Sequence, residues 1–484
     1  MTGLLWEGPL GGAGGVAVVG RRTLTYGDLA GEVARVRAVL VADGVAPGDR
    51  VGLLADRSVD GVVGVLGILS SGAAYVPLDP TSPPARNASI LRDAGAERLL
   101  VGGRNPARAT PILREHDVPA WSLDPEARVT SRVSALPDAP SVAPVVLPPE
   151  ALAALLYTSG TTGTPKGVML SHRAIGAFAE WARETFALSP SDRVPALSPL
   201  TFDLSTFELF SVLSAGAELH VAPPGTTVFP RSFADFVAER ALTVIYAVPS
   251  VLSRLLDGGL SDAAALRAVL FAGEVFPLER LRALMSAVPE ARFANLFGPT
   301  ETNVCTWWEL DGPPPAEVPI GWPSCGDEAV VVQDGAPADE GELWIAGPTL
   351  CDGYWGRPEL TDATFVEADF GDGLRRWLRT GDRVVRRPDG ALLYRGRGDT
   401  MLKHQGFRIQ PEEVEGALAS HEAVEAALVA IDDGALVARV ELRTPVAAEE
   451  LRAWCERRVP RYMVPDCVVV VDALARTSTG KLRR

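Results

Sequence analysis

Tyr157-Thr158-Ser159-Gly160-Thr161-Thr162-Gly163-Thr164-Pro165-Lys166-Gly167 follows the apolar, strand-like run Ala151 to Tyr157 and precedes a helix-periodic stretch from Ser171 to Phe186. A loop of glycine, serine and threonine after a strand presents backbone N–H groups and hydroxyls to a phosphate, and one lysine adds a point charge. Thr158, Ser159, Gly160, Thr161, Thr162, Gly163 and Lys166 are therefore candidate phosphate-handling residues. The loop is not a nucleotide-binding P-loop. That motif requires G-x-x-x-x-G-K-[ST], whereas here Lys166 stands between Pro165 and Gly167.

Outward from this loop, short β-branched runs alternate with amphipathic patterns. Arg50 to Ala55, Arg98 to Val101, Glu218 to Val221, Leu242 to Ala247, Arg267 to Ala272 and Arg292 to Leu296 read as strands. Leu29 to Ala42, Ser232 to Glu239 and Leu278 to Ala287 read as helices. The alternation predicts a mostly parallel sheet covered by helices. Gly103 to Glu150, rich in proline and polar residues, reads as a surface connection with a strand or two near its middle. Gly61 to Leu78 holds 18 uncharged residues. Its glycines, serines and proline favour a buried helix, a turn and a short strand over a membrane span.

Composition narrows the function. With 46 basic against 61 acidic side chains the net charge is −15, the opposite of a nucleic-acid or anionic-membrane footprint. Five cysteines without a C-x-x-C pair point to reduced cytoplasmic thiols, and five scattered histidines give no metal-ligand spacing. After about residue 319 the sequence turns strand-rich, which fits a small antiparallel or barrel-like subdomain to 398. A compact α+β block follows, with a helix at Pro411 to Ala419, strands at Val424 to Ile431 and Ala435 to Leu442, and a helix at Ala447 to Arg458. The expected organisation is an α/β domain at 1–398 and a small mobile C-terminal domain at 399–484.

Further motifs occur in order along the chain: Leu24 to Leu29, Gly72 to Asp79, the loop above, Phe202-Asp203-Leu204-Ser205, Asn295-Leu296-Phe297-Gly298-Pro299-Thr300-Glu301, Gly341 to Pro358, Arg379-Thr380-Gly381-Asp382, Gly396 to Asp399, Pro460 to Pro465 and Thr479-Gly480-Lys481. As an ordered set they resemble the adenylate-forming enzymes, and within these the amino-acid adenylation domains of nonribosomal peptide synthesis that serve antibiotic biosynthesis. The resemblance implies that a carboxylate attacks the α-phosphate of ATP, pyrophosphate leaves, and a carrier-protein thiol captures the acyl adenylate. Lys481 is implied to bridge the substrate carboxylate and adenylate oxygens, Glu301 to hold Mg²⁺ and Thr300 to contact the α-phosphate. Asp382 and Arg397 are implied to take the ribose and Phe297 to stack on adenine, with Asn295, Leu296, Gly298 and Tyr394 completing the nucleotide site. Asp399 occupies the family's hinge position, and Lys403 lies in the loop through Arg408 that replaces the tail lysine during thioester formation. Gln405 and the tail Leu482-Arg483-Arg484 depart from the family pattern.

Asp203 matches the position that pairs with a substrate α-ammonium, which argues against fatty or aryl acids, since a buried carboxylate needs a partner. The implied pocket comprises Asp203, Leu204, Phe207, Tyr246, Leu270, Ala272, Leu296, Val304 and Cys305, and resembles that of stand-alone prolyl-activating enzymes. L-proline is the expected substrate and a separate phosphopantetheinylated carrier the expected partner, since Lys481 lies three residues before the last residue, Arg484. An acyl-CoA ligase of the same fold, and a catalytically silent scaffold, are the alternatives.

Overall fold

A computed structural model describes residues 4–11, 14–103, 105–126, 129–159, 165–260, 265–398, 400–404, 407–432 and 434–474, and the backbone but not the side chains of Lys403 and Arg408. Parallel strands dominate the first two-thirds. The largest sheet runs Gly353–Tyr354, Lys166–Ser171, Leu152–Thr158, Ala74–Leu78, Arg50–Leu54, Leu99–Val101, Ala120–Ser122 and Ser134–Ala135. A second orders Val244–Ala247, Ala268–Ala272 and Arg292–Phe297 in parallel, then Thr306–Leu310 and Trp322–Pro323 antiparallel. A third joins Arg193–Ala196, Glu218–Val221 and Val16–Val19, edged by Thr23–Thr25.

The 18-residue uncharged stretch is accounted for by burial. All 12 residues of helix Val59–Ser70 are buried, and Ser58 caps it by accepting from the Gly61 N–H. Gly67 allows helix Tyr26–Ala42 to pack closely, since a Cβ there would overlap the Val36 side chain. Among the described residues no helix is long and apolar enough to cross a membrane. The first motif forms a capping box, in which Thr25 accepts from the Asp28 N–H and the Asp28 carboxylate accepts from the Thr25 N–H.

Two local expectations change. Gly103 to Glu150 contains a helix, Pro106–Glu115, besides the strands Ala120–Ser122 and Ser134–Ala135. Its start is fixed by Pro106 and its buried stripe by Ala109, Ile112 and Leu113, but Pro111 interrupts the pattern. The helix expected from Ser171 is present, but the phosphate loop does not run straight into it. The loop joins two antiparallel strands, with Thr158 opposite Lys166, because Val168 and Leu170 bury against the core before helix His172–Thr185 begins.

Beyond residue 319, Glu328–Gln333, Glu340–Ala346, Leu374–Arg386, Phe365–Asp369 and Leu392–Arg397 form an antiparallel sheet. The C-terminal part packs helices Pro411–Ala419 and Ala448–Glu456 on the strands Val424–Asp432, Ala435–Leu442 and Cys467–Val471.

Candidate active site

The site lies where parallel strands end. Ligands of open α/β sheets bind outside the carboxyl ends of the strands, and here Thr158, Tyr246, Ala272, Leu296 and Phe297 all sit at or next to such ends. A cavity of about 70 Å³ is lined by Thr158, Ser159, Asp203, Leu204, Tyr246, Ala272, Gly298, Thr300 and Asn303 from the N-terminal part, and by Phe407 and Tyr462 from the C-terminal part. A neighbouring cavity of about 350 Å³ is lined by Asn295, Leu296, Phe297 and Tyr394 together with Gly273 to Leu278. A cavity of about 1100 Å³ lies in the cleft between the two parts and meets the small one at Thr201, Phe407 and Tyr462.

Asp203 is 6% exposed, and its Oδ2 accepts from the Thr300 hydroxyl at 2.7 Å. The Thr206 hydroxyl donates to the Asp203 carbonyl at 2.7 Å and accepts from Asn303 Nδ2 at 2.6 Å. Asn303 reaches it from a left-handed backbone, φ 58°, a conformation asparagine tolerates better than most residues. Gly298 permits this crossing, because a Cβ there would overlap the Asn303 carbonyl. Thr300, expected on the α-phosphate, thus holds the Asp203 carboxylate in this arrangement.

Lys166 and Glu301, 135 residues apart in sequence, meet at 3.2 Å. Tyr354 joins them: its hydroxyl donates to the same Glu301 oxygen at 2.7 Å, and Lys166 Nζ lies 4.0 Å from its ring centroid. Burial, and then Glu301, push the Tyr354 phenol far above its ordinary range, so it stays a donor. Thr158 Oγ1 is shielded and has no hydrogen-bond partner among the described residues, which suits a hydroxyl reserved for a ligand.

Asp382 is fully buried and takes Arg397 Nη1 at 2.9 Å, while Arg397 Nη2 donates to the Thr380 carbonyl. Phe297 and Tyr394 face each other at 5.6 Å. Asn295 is committed through Nδ2 to the Pro319 carbonyl at 2.8 Å.

Phe207 meets Tyr246 edge-to-face at 5.2 Å. Burial, then the nearby Asp203, hold the Tyr246 phenol well above its ordinary range. Phe207, Leu270, Leu296, Val304 and Cys305, all expected in the pocket, are buried and do not line the small cavity. Burial also pushes the Cys305 thiol far up, which leaves it an inert apolar wall.

The C-terminal part contributes through the hairpin Leu402–His404 and Phe407–Ile409. Phe407 stacks between Phe202 at 5.3 Å and Tyr462 at 4.0 Å. The Gln410 N–H donates to Ser159 Oγ at 3.2 Å, and a buried ion pair joins Arg86 to Glu413. Lys403 lies in this hairpin. Gly160, Thr161, Thr162, Gly163, Asp399 and Lys481 lie outside the described residues.

Sequence reasoning assigned no role to Tyr354, Phe202, Tyr462 or the Arg86–Glu413 pair. The first three stand inside or beside quoted motifs, and an aromatic residue at a motif's edge was the available signal. Glu208 was also missed. Burial raises its carboxyl to about 7 even though it accepts from two backbone N–H groups.

A model of the AMP-binding enzyme family matches residues 12–355, and one of the AMP-binding enzyme C-terminal domain matches residues 413–481. The chain is 37% identical to an L-proline--[L-prolyl-carrier protein] ligase of Streptomyces coelicolor, over 96% of this chain and 92% of that protein. It is 38% identical to a protein of the same name from Pseudomonas fluorescens, over 95% and 93%. Among solved structures, that of IdnL1 is similar at a TM-score of 0.81 and 29% identity, covering 98% of each chain. The chain belongs to the AMP-binding, adenylate-forming enzymes.

Proposed function

We propose that this enzyme is a ligase that activates a small aliphatic amino acid, L-proline by preference, with ATP and passes the aminoacyl group to the phosphopantetheine thiol of a separate carrier protein. The observation that carries this reading is the buried Asp203 carboxylate on the wall of a cavity shared with the phosphate-loop residues Thr158 and Ser159. A carboxylate taken out of water needs a cation or several donors, and a substrate ammonium supplies that partner. The printed names of the Streptomyces and Pseudomonas relatives support both proline and the carrier.

In this reading Asp203 takes the ammonium, and Leu204, Tyr246 and Ala272, backed by Phe207, Leu270, Leu296, Val304 and Cys305, shape an apolar seat for the side chain. The substrate carboxylate then faces the phosphate loop, where Lys166 and Lys481 neutralise phosphate charge and Thr158 donates a hydroxyl. Asn295, Phe297, Tyr394, Asp382 and Arg397 bind the nucleoside. Glu301 is a carboxylate held by Lys166 and the Tyr354 hydroxyl, and no cluster of three or more metal-ligating side chains exists among the described residues. That fits Mg²⁺, which is held by one or two carboxylates together with phosphate oxygens and water. When bound, the ion would neutralise charge on the phosphates. We assign the observed domain orientation to the thioester-forming step, because the Phe407 hairpin faces the small cavity and the large cleft gives a carrier-borne thiol a route to it. Asp399 is the hinge in this scheme, the cap begins there, and Lys403 belongs to the thioester-forming state. A cytoplasmic setting suits the free cysteines.

ATP–pyrophosphate exchange with a panel of amino acids tests the reading. Exchange is expected to be strongest with L-proline. Stronger exchange with alanine or valine would overturn the substrate assignment.

A further inference from the structure

Behind the amino-acid pocket, the segment Phe207–Val212 winds as a π-helix inside an otherwise α-helical turn. Single π turns of this kind recur at functional sites. Its first residue, Phe207, packs edge-to-face behind Tyr246, which lines the small cavity. Its second, Glu208, is 3% exposed and turns the other way.

Glu208 Oε1 accepts from two successive backbone N–H groups, Leu197 at 2.8 Å and Ser198 at 2.9 Å. These follow directly on strand Arg193–Ala196. The carbonyl between them is held too, since Arg57 donates to the Leu197 oxygen. The chain between Ser198 and Glu208 carries Phe202, Asp203, Leu204 and Phe207. One buried carboxylate therefore closes, at its base, the loop that presents Asp203 and the apolar lining residues Phe202 and Leu204. Glu208 does not itself line the cavity. A neutral leucine of similar size would leave two buried N–H groups unpaired. A glutamine would keep an acceptor oxygen but give up the charge near Arg57.

We propose that Glu208 is a positioning residue for amino-acid recognition: it fixes the Leu197–Ser198 turn and so sets Asp203 and Phe207 for the substrate. The proposal rests on the amino-acid-activating reading given above. It acts on the amino acid and not on ATP, whose candidate residues lie on other elements.

The test is pyrophosphate exchange by the full-length enzyme, with L-proline and ATP varied separately. For Glu208→Leu the KM for L-proline is expected to rise by roughly tenfold or more, while the KM for ATP stays within about twofold. Glu208→Gln is expected to recover most of the loss. A folded Glu208→Leu enzyme with an unchanged proline KM overturns the proposal. So does one in which both KM values move together, because a general structural role predicts that. If Glu208→Leu does not fold, Glu208→Asp decides in the same way, since it keeps the charge but falls one methylene short of the turn. A wild-type enzyme without amino-acid-dependent exchange would refute the function itself, whereas a normal wild type matched by its Glu208 variants refutes only this inference.

Discussion

Removing Arg86 separates the two half-reactions. Its guanidinium pairs with Glu413 across the junction between the two parts of the molecule, with side-chain exposures of 9% and 4%. Breaking such a pair by deleting one partner leaves an uncompensated buried charge and costs about 3–5 kcal/mol. The cost falls only on the orientation in which Glu413 is buried against Arg86. Arg86→Ala therefore disfavours that orientation by roughly two to four orders of magnitude. Burial already raises the Glu413 carboxyl despite Arg86, so without Arg86 it rises further. Protonation then relieves the penalty as pH falls. Pyrophosphate exchange reports adenylate formation, and loading of a phosphopantetheinylated carrier, followed by mass spectrometry, reports transfer. The variant is expected to exchange within about twofold of wild type, and to load more slowly by at least about tenfold at pH 8 with partial recovery toward pH 6. Replacing both partners with apolar residues removes the lone charge and is expected to restore part of the loading rate. Equal loss in both assays, or unchanged loading at pH 8, would refute this role of the Arg86–Glu413 pair and the assignment of this orientation to the transfer step.

Other outcomes follow from the same geometry. Asp203→Asn retains an acceptor for the Thr300 hydroxyl but no charge for the ammonium, so kcat/KM for L-proline is expected to fall by roughly 100-fold or more; an enzyme within about fivefold of wild type contradicts the pairing. Gly298→Ala forces a Cβ onto the Asn303 carbonyl, and is expected to cost about 1–3 kcal/mol in urea unfolding and to weaken amino-acid use through the Asn303–Thr206–Asp203 chain. His172 is 1% exposed, accepts from the Leu5 N–H, and is held by burial at a pKa of about 4. The unfolded chain therefore binds a proton between about pH 6.5 and 4 that the folded chain does not, so this part of stability is complete above about 6.5 and falls by up to about 3 kcal/mol toward pH 4. His172→Asn is expected to flatten that acid limb, and urea midpoints at pH 7.5 and 4.5 measure it.

Much of the fold was legible because each parallel strand is an apolar run and each covering helix an amphipathic one. Helix Leu278–Ala287 and strand Ala435–Leu442 fall where periodicity puts them. Helix Pro106–Glu115 was hidden by Pro111, which weakens the pattern that its buried face creates. The π turn at Phe207 was also invisible, since nothing local distinguishes it from an α-helical run. Candidate site residues could be proposed from ordered motifs, but their pairings could not. Lys166 finds Glu301 and Arg86 finds Glu413 only through the fold. Thr300 illustrates the gap: its motif suggested a phosphate, while its hydroxyl rests on Asp203 at 2.7 Å.

The central claim is that a buried Asp203 makes this enzyme require an ammonium on its carboxylic acid substrate. Pyrophosphate exchange with L-proline, compared with cyclopentanecarboxylic acid, tests it most directly, because the two rings share a shape and only one carries the charge. The account predicts strong exchange with L-proline and none above background with cyclopentanecarboxylic acid. Comparable exchange with both acids, or exchange with the uncharged ring alone, would contradict it.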